Sequence, residues 1–218
     1  IMTLITQAFR YAYEPFVFSK SHDRDSKETY AAAMKYFIIF TLLAFLVVVA
    51  YLPLFKHIIA PDYWGGLRVT PIVMVAGILL GIYFNLSLWY KLVDKTIYGM
   101  YFSFAGCAVL VAVNVLFIPR FGYMACAWGG VAGYGVATIL SYFVGQKYYP
   151  IKYPLKSIAG YVLLTAFFFT LMQVETAAWS AWLTMSINTV LILLYVAHVL
   201  YHDFPIKRLP IIGKYFKK

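Results

Sequence analysis

Apolar residues in this chain come in long unbroken runs, not in alternation with polar ones. Six stretches, 31–55, 68–90, 97–119, 123–147, 156–174 and 177–200, each hold enough apolar residues to cross a bilayer. A hydrocarbon core of about 30 Å needs roughly 20 such residues in a helix. Residues 1–18 read as the last part of a seventh helix, with the chain starting inside it as a fragment of a longer protein. Strands of a membrane barrel would alternate over about ten residues. The runs 37–51 and 190–200 are instead apolar on every face. The pattern predicts an all-α polytopic membrane protein: a helical bundle of six full transmembrane helices plus the end of a seventh.

The connections are short and carry breaking residues. The strongly charged loop is 19–29, SKSHDRDSKET, and 60–66 reads APDYWGG. A turn, KLVDKT, covers 91–96, and another, PRFG, covers 119–122. Pro150 and Pro154 lie in 146–156, so no helix should pass through that stretch.

Composition agrees with the pattern. The chain is 63% hydrophobic and 12% charged, with a mean hydropathy of +0.79, whereas soluble domains carry about 25% charged residues. Net charge is +10, yet the basic residues sit in short clusters between apolar runs. That spacing belongs to membrane topology and not to a nucleic-acid partner. Thirteen of the 18 Lys and Arg fall on one side of the predicted bundle; three, Lys56, Arg68 and Arg120, fall on the other, and Arg10 and Lys35 lie within spans. The excess places the C-terminus and the 19–29 loop in the cytoplasm. Cys107 and Cys126 show no metal-ligand spacing and read as small buried residues.

Small residues recur at every fourth position in Ala125, Gly129, Gly133, Ala137 and Ser141. Such a ridge lets another helix backbone approach closely, either as fixed packing or as a surface that slides during transport. Its partner is expected from beyond this chain. Gly77 and Gly81 make a shorter version in the 68–90 helix.

Ionisable groups inside spans are functional candidates by default. Arg10 lies about 12 Å below the end of its helix if that end is near Phe18. Glu14 follows at i+4, so the two can pair. Alternatively, the guanidinium faces a polar cavity, where its planar fork suits phosphate oxygens. Lys35 either snorkels to the interface or lines a cavity. Asn85, Asn114 and Asn188 are mid-span amides, each an interhelical hydrogen bond or a ligand contact. Lys91, Asp94 and Lys95 form a solvated turn or a gate. No H-E-x-x-H motif, phosphate loop or nucleophile elbow is present. Catalysis, a cofactor and a metal therefore have no motif to rest on.

Several pieces resemble the Wzx-like oligosaccharide flippases of the multidrug/oligosaccharidyl-lipid/polysaccharide flippase superfamily. They begin with Gln7-Ala8-Phe9-Arg10 and Glu14-Pro15-Phe16, then Tyr63-Trp64 and Gly66-Leu67. Gly81-Ile82-Tyr83-Phe84-Asn85-Leu86-Ser87, Trp89-Tyr90-Lys91-Leu92 and Asp94-Lys95-Thr96 follow. Asn114, Ile118-Pro119-Arg120 with Gly122, and Gly145-Gln146-Lys147-Tyr148-Tyr149-Pro150 complete the set. The resemblance implies a fourteen-helix transporter of the bacterial inner membrane, with this chain running from the end of helix 8 through helix 14. Residues 1–150 would form most of the C-terminal transport lobe, 151–202 two extra helices, and 203–218 a basic cytoplasmic tail. The partners implied are the lipid bilayer, an N-terminal lobe and a lipid-linked oligosaccharide. The implied activity is flipping undecaprenyl-pyrophosphate-linked oligosaccharide to the outer leaflet, with a coupling ion of unknown identity. Arg10 and Glu14 would face the central cavity, joined as candidates by Lys35, Asn85, Lys91 and Asn114. The alternatives are a cation-coupled drug or metabolite exporter, a membrane enzyme of polysaccharide assembly and a structural subunit.

Overall fold

The structure is a computed structural model that describes residues 2–20, 25–55, 59–173 and 181–203. The chain is an all-α polytopic membrane protein, with six helical segments long and apolar enough to cross a membrane. The basic tail over 204–218, residues 21–24 of the charged loop, and the connections 56–58 and 174–180 lie outside the described residues.

The first helix, α1 (Met2–Lys20), carries Thr6, Gln7, Arg10 and Glu14 and is not among the six apolar segments. Pro15 lies inside it, which removes one backbone donor. Helix α2 (Ser26–Ala50) ends earlier than the run of apolar residues suggests, and the chain restarts as a one-turn helix, α3 (Leu52–Phe55). Pro53 accounts for the break, because its ring would meet the carbonyl one turn back and it has no N–H to donate.

A 3₁₀ segment (Pro61–Val69) leads into α4 (Thr70–Leu86), which has Pro71 in its first turn. Proline is tolerated there because that N–H has no helical partner. Ser87 separates α4 from α5 (Leu88–Leu92), its hydroxyl donating to Phe84 O at 2.6 Å. The expected single span over 68–90 is thus three joined pieces. The turn after α5 has Asp94 at φ 53°, a conformation that aspartate tolerates better than most residues.

Helix α6 (Ile97–Phe121) runs two residues past the predicted span, into the predicted turn, and stops at Gly122, where φ is 57° and ψ −139°. Only glycine adopts that backbone without strain. Helix α7 (Tyr123–Tyr148) returns beside α6 and ends before Pro150, as the prolines require. Gln146 Nε2 then donates to Ile151 O at 2.8 Å and ties down the connection. The last two helices are α8 (Leu155–Met172) and α9 (Ala181–Asp203).

The core lies around α2, where Phe37, Ile38, Leu42, Phe45, Leu46 and Val49 are buried. Helix α4 packs on α1, α2 and α7, while α8 and α9 both pack on α2. The small-residue ridge finds its partners within the chain, which corrects the expectation of an outside one. A Cβ on Gly133 would stand 2.7 Å from Gly106 O of α6, and one on Gly145 would stand 2.8 Å from the Trp89 ring. Trp89 Nε1 donates to Ser141 O at 3.1 Å, so α5 closes the end of the ridge. Gly81 likewise meets Phe37 of α2 and Thr6 of α1.

The outer side of α6 exposes Phe104, Val115 and Leu116, which suits acyl chains and not water. Cys107 and Cys126 are also exposed, contrary to the expectation of burial. They lie on apolar helix surfaces that this bundle does not cover.

Candidate functional site

The polar residues of α1 gather against the end of α4 and against α5. Thr6, Gln7 and Arg10 are spaced so that a helix brings them onto neighbouring faces. The Thr6 Oγ1, Gln7 Oε1 and Arg10 Nε atoms are all buried and have no hydrogen-bond partner among the described residues. Arg10 Cζ lies 4.9 Å from the ring centroid of Phe84 and 5.6 Å from that of Tyr11. The two rings hold the charge by cation–π attraction, worth about 0.5–2 kcal/mol.

Arg10 and Glu14 do not pair with each other in this structure. Glu14 Oε1 accepts instead from Lys91 Nζ at 2.6 Å, joining α1 to α5. Ser87 keeps helical backbone, at φ −61° and ψ −17°, and α5 carries the Lys91 amine to the carboxylate on α1. The candidates Lys91 and Glu14 therefore neutralise one another, and both are about a third exposed, at 34% and 31%. Arg10 has no carboxylate partner among the described residues.

Asn85 lies one turn beyond Gly81 on α4. Its Nδ2 donates to Gly81 O at 3.0 Å, and its Oδ1 is buried without a partner. It borders an enclosed space of about 10 Å³ shared with Tyr13, Tyr30 and Tyr153, which is room for one water at most. Burial pushes the Tyr153 phenol well above its ordinary range, so this wall is uncharged. Asn114 lies apart, on α6. Its Oδ1 has no partner and stands 2.5 Å from where a Cβ on Gly129 would be. It thus belongs to the α6–α7 ridge contact.

Lys35 does not join Arg10. Its amine pairs with a carboxylate oxygen of Asp203 at the end of α9, and the Tyr161 hydroxyl of α8 donates to the other oxygen. This three-helix tie is structural. Its acidic member, Asp203, was counted in the sequence as the start of the tail. Of the turn residues, Lys95 Nζ lies 3.7 Å from the Tyr148 ring centroid and packs on the end of α7.

The structure therefore brings together Arg10, Gln7, Thr6 and Asn85 near the junction of α1 and α4, with the Glu14–Lys91 pair beside them. It separates Lys35 and Asn114 from that group. Thr6 and Gln7 were missed in the sequence; the available signal was a file of polar residues, 6, 7, 10 and 14, on a helix otherwise apolar. Chemically, the group offers a fixed guanidinium donor beside neutral oxygens. A buried donor left unmatched costs about 1–3 kcal/mol, so an anionic oxygen placed there would be held strongly. The chain matches no family model, no curated protein and no solved structure.

Proposed function

We propose that this chain is the transport lobe and trailing helices of a Wzx-like flippase in a bacterial inner membrane, its C-terminus in the cytoplasm. Its cargo is undecaprenyl-pyrophosphate-linked oligosaccharide, moved from the cytoplasmic to the outer leaflet for surface polysaccharides such as O-antigen. The partner that completes the cavity is an N-terminal lobe. The reading is that of a transporter and not of an enzyme.

The observation that supports it most is Arg10, whose buried Nε has no partner and whose guanidinium is held over Phe84. A lipid pyrophosphate cannot enter an apolar path without a compensating charge. A guanidinium answers that need with two parallel donors, which an ammonium lacks. The cation-coupled exporter is less favoured, since both Glu14 and Asp203 are already tied to lysines. A coupling ion would need a carboxylate that is not so engaged.

The test is an allelic series at Arg10 in the chromosomal gene, read as surface polysaccharide at equal protein level. Losing a charge-assisted contact of about 1.5–3 kcal/mol should cut export by about 10- to 100-fold in Arg10→Ala. Arg10→Lys should recover part of it. Arg10→Met keeps the stem over Phe84 without the charge and should fail like alanine. Full export with Arg10→Met would reduce Arg10 to packing and remove the main support for this reading.

A further inference from the structure

A second cavity, of about 640 Å³, opens at the other end of the bundle from Arg10. It lies beside Pro71, about 20 Å along α4 from Phe84 at 1.5 Å per residue. Its volume falls within the range of about 300–1,000 Å³ usual for ligand sites. The break between α2 and α3, the 3₁₀ segment and the facing ends of α7, α8 and α9 enclose it.

The polar lining consists of Trp64, Arg68, Tyr123, Gln173 and Asn188. Two hydrogen bonds fix the wall. Trp64 Nε1 donates to Ile59 O at 3.0 Å, and the Tyr123 hydroxyl donates to Gly65 O at 3.3 Å. Asn188 is only 5% exposed although it borders the space. The described lining thus holds one cation, two amides, a phenol and an indole, with no carboxylate.

That set decides between ligand chemistries. An amide both donates and accepts, whereas a phosphate only accepts. A phosphate would match Arg68 and the amide N–H groups but would leave the carbonyl oxygen of the buried Asn188 without a donor. Sugar hydroxyls donate and accept at the same site, and an indole offers a broad apolar surface to a pyranose ring. We propose that this cavity is a sugar-binding site formed by Trp64, Arg68, Gln173 and Asn188. The inference rests on the transport reading only for the source of the sugar, a glycan arriving at the outer face.

The experiment uses the full chain in lipid nanodiscs and saturation-transfer NMR. The probes are maltose, N-acetyllactosamine and a glucuronic-acid disaccharide, with glycerophosphoglycerol and methyl phosphate as the lipid and phosphate arms. Saturation transfer to at least one disaccharide is expected. Trp64→Ala and Gln173→Ala should each weaken it by about tenfold, and Arg10→Ala should leave it unchanged. Trp64 and Gln173 are exposed, so both variants should fold; Trp64→Phe, which keeps a ring, should retain part of the binding. No transfer to any of the three sugars overturns the proposal. So does binding that both lining variants leave intact, or a response to glycerophosphoglycerol or methyl phosphate alone. Loss of the cavity with export still dependent on Arg10 refutes this site only; sugar binding without that dependence refutes the transport reading only.

Discussion

Gly133 and Gly106 show how much the bundle depends on single atoms. A Cβ at Gly133 would lie 2.7 Å from Gly106 O and 2.9 Å from Leu110 Cβ, so α6 and α7 would have to separate. Gly133→Val should lower stability by about 1–3 kcal/mol or more, seen as a fall in Tm of the purified protein. Gly160 is the control, since nothing lies within 4 Å of its would-be Cβ. Gly160→Ala should hold or slightly raise Tm, because alanine favours a helix by about 1 kcal/mol over glycine. The ridge was legible in the sequence because small residues at every fourth position have one physical use. The true partner of Glu14 was not. An i+4 spacing permits Arg10–Glu14, but the carboxylate is taken by Lys91, 77 positions away on a helix packed beside α1, and a hydropathy pattern does not report which helices touch. The same limit hid the partnerless atoms of Thr6 and Gln7, which depend on how α1 lies against its neighbours.

At the scale of elements, the tie between α2, α8 and α9 invites a direct test. Lys35 and Asp203 have side chains only 19% and 7% exposed, and Tyr161 adds a third contact. Asp203→Ala leaves the lysine with no carboxylate and should cost about 1–3 kcal/mol, between the values for exposed and fully buried pairs. The double change Lys35→Met with Asp203→Leu removes both charges and should restore most of the loss in a thermal unfolding assay. A double variant as weak as the single would mean that the tie does not act as an ion pair. The apolar pattern puts Lys35 about one turn inside a span that starts at 31, whereas α2 starts at Ser26, nine residues before it; its role was open because the partner lies 168 positions away. Helix ends were legible where proline or glycine dictates them, as at Pro150, Pro154 and Gly122. They were less so at Pro53, where a long apolar run masks a break.

For the whole molecule, six apolar helices, with the thirteen cations that the sequence reading assigns to one side, predict an orientation that can be measured. With Cys107 and Cys126 replaced, a cysteine at the exposed Asp62 should react with an impermeant thiol reagent in intact cells, and one at the exposed Lys152 should not. Reaction at Lys152 from outside would contradict the proposed cytoplasmic C-terminus. The class of the molecule was fully legible because crossing a bilayer constrains length and composition so strongly. The proposed cargo rests on the chemistry around one guanidinium, and this is the claim to test most directly. In cells where this gene is placed under a depletable promoter, the pool of undecaprenyl-pyrophosphate-linked oligosaccharide can be extracted and quantified as the protein runs out. The account predicts that this lipid-linked sugar accumulates while surface polysaccharide falls, and that Arg10→Ala reproduces both changes. An unchanged lipid-linked pool after depletion would contradict it.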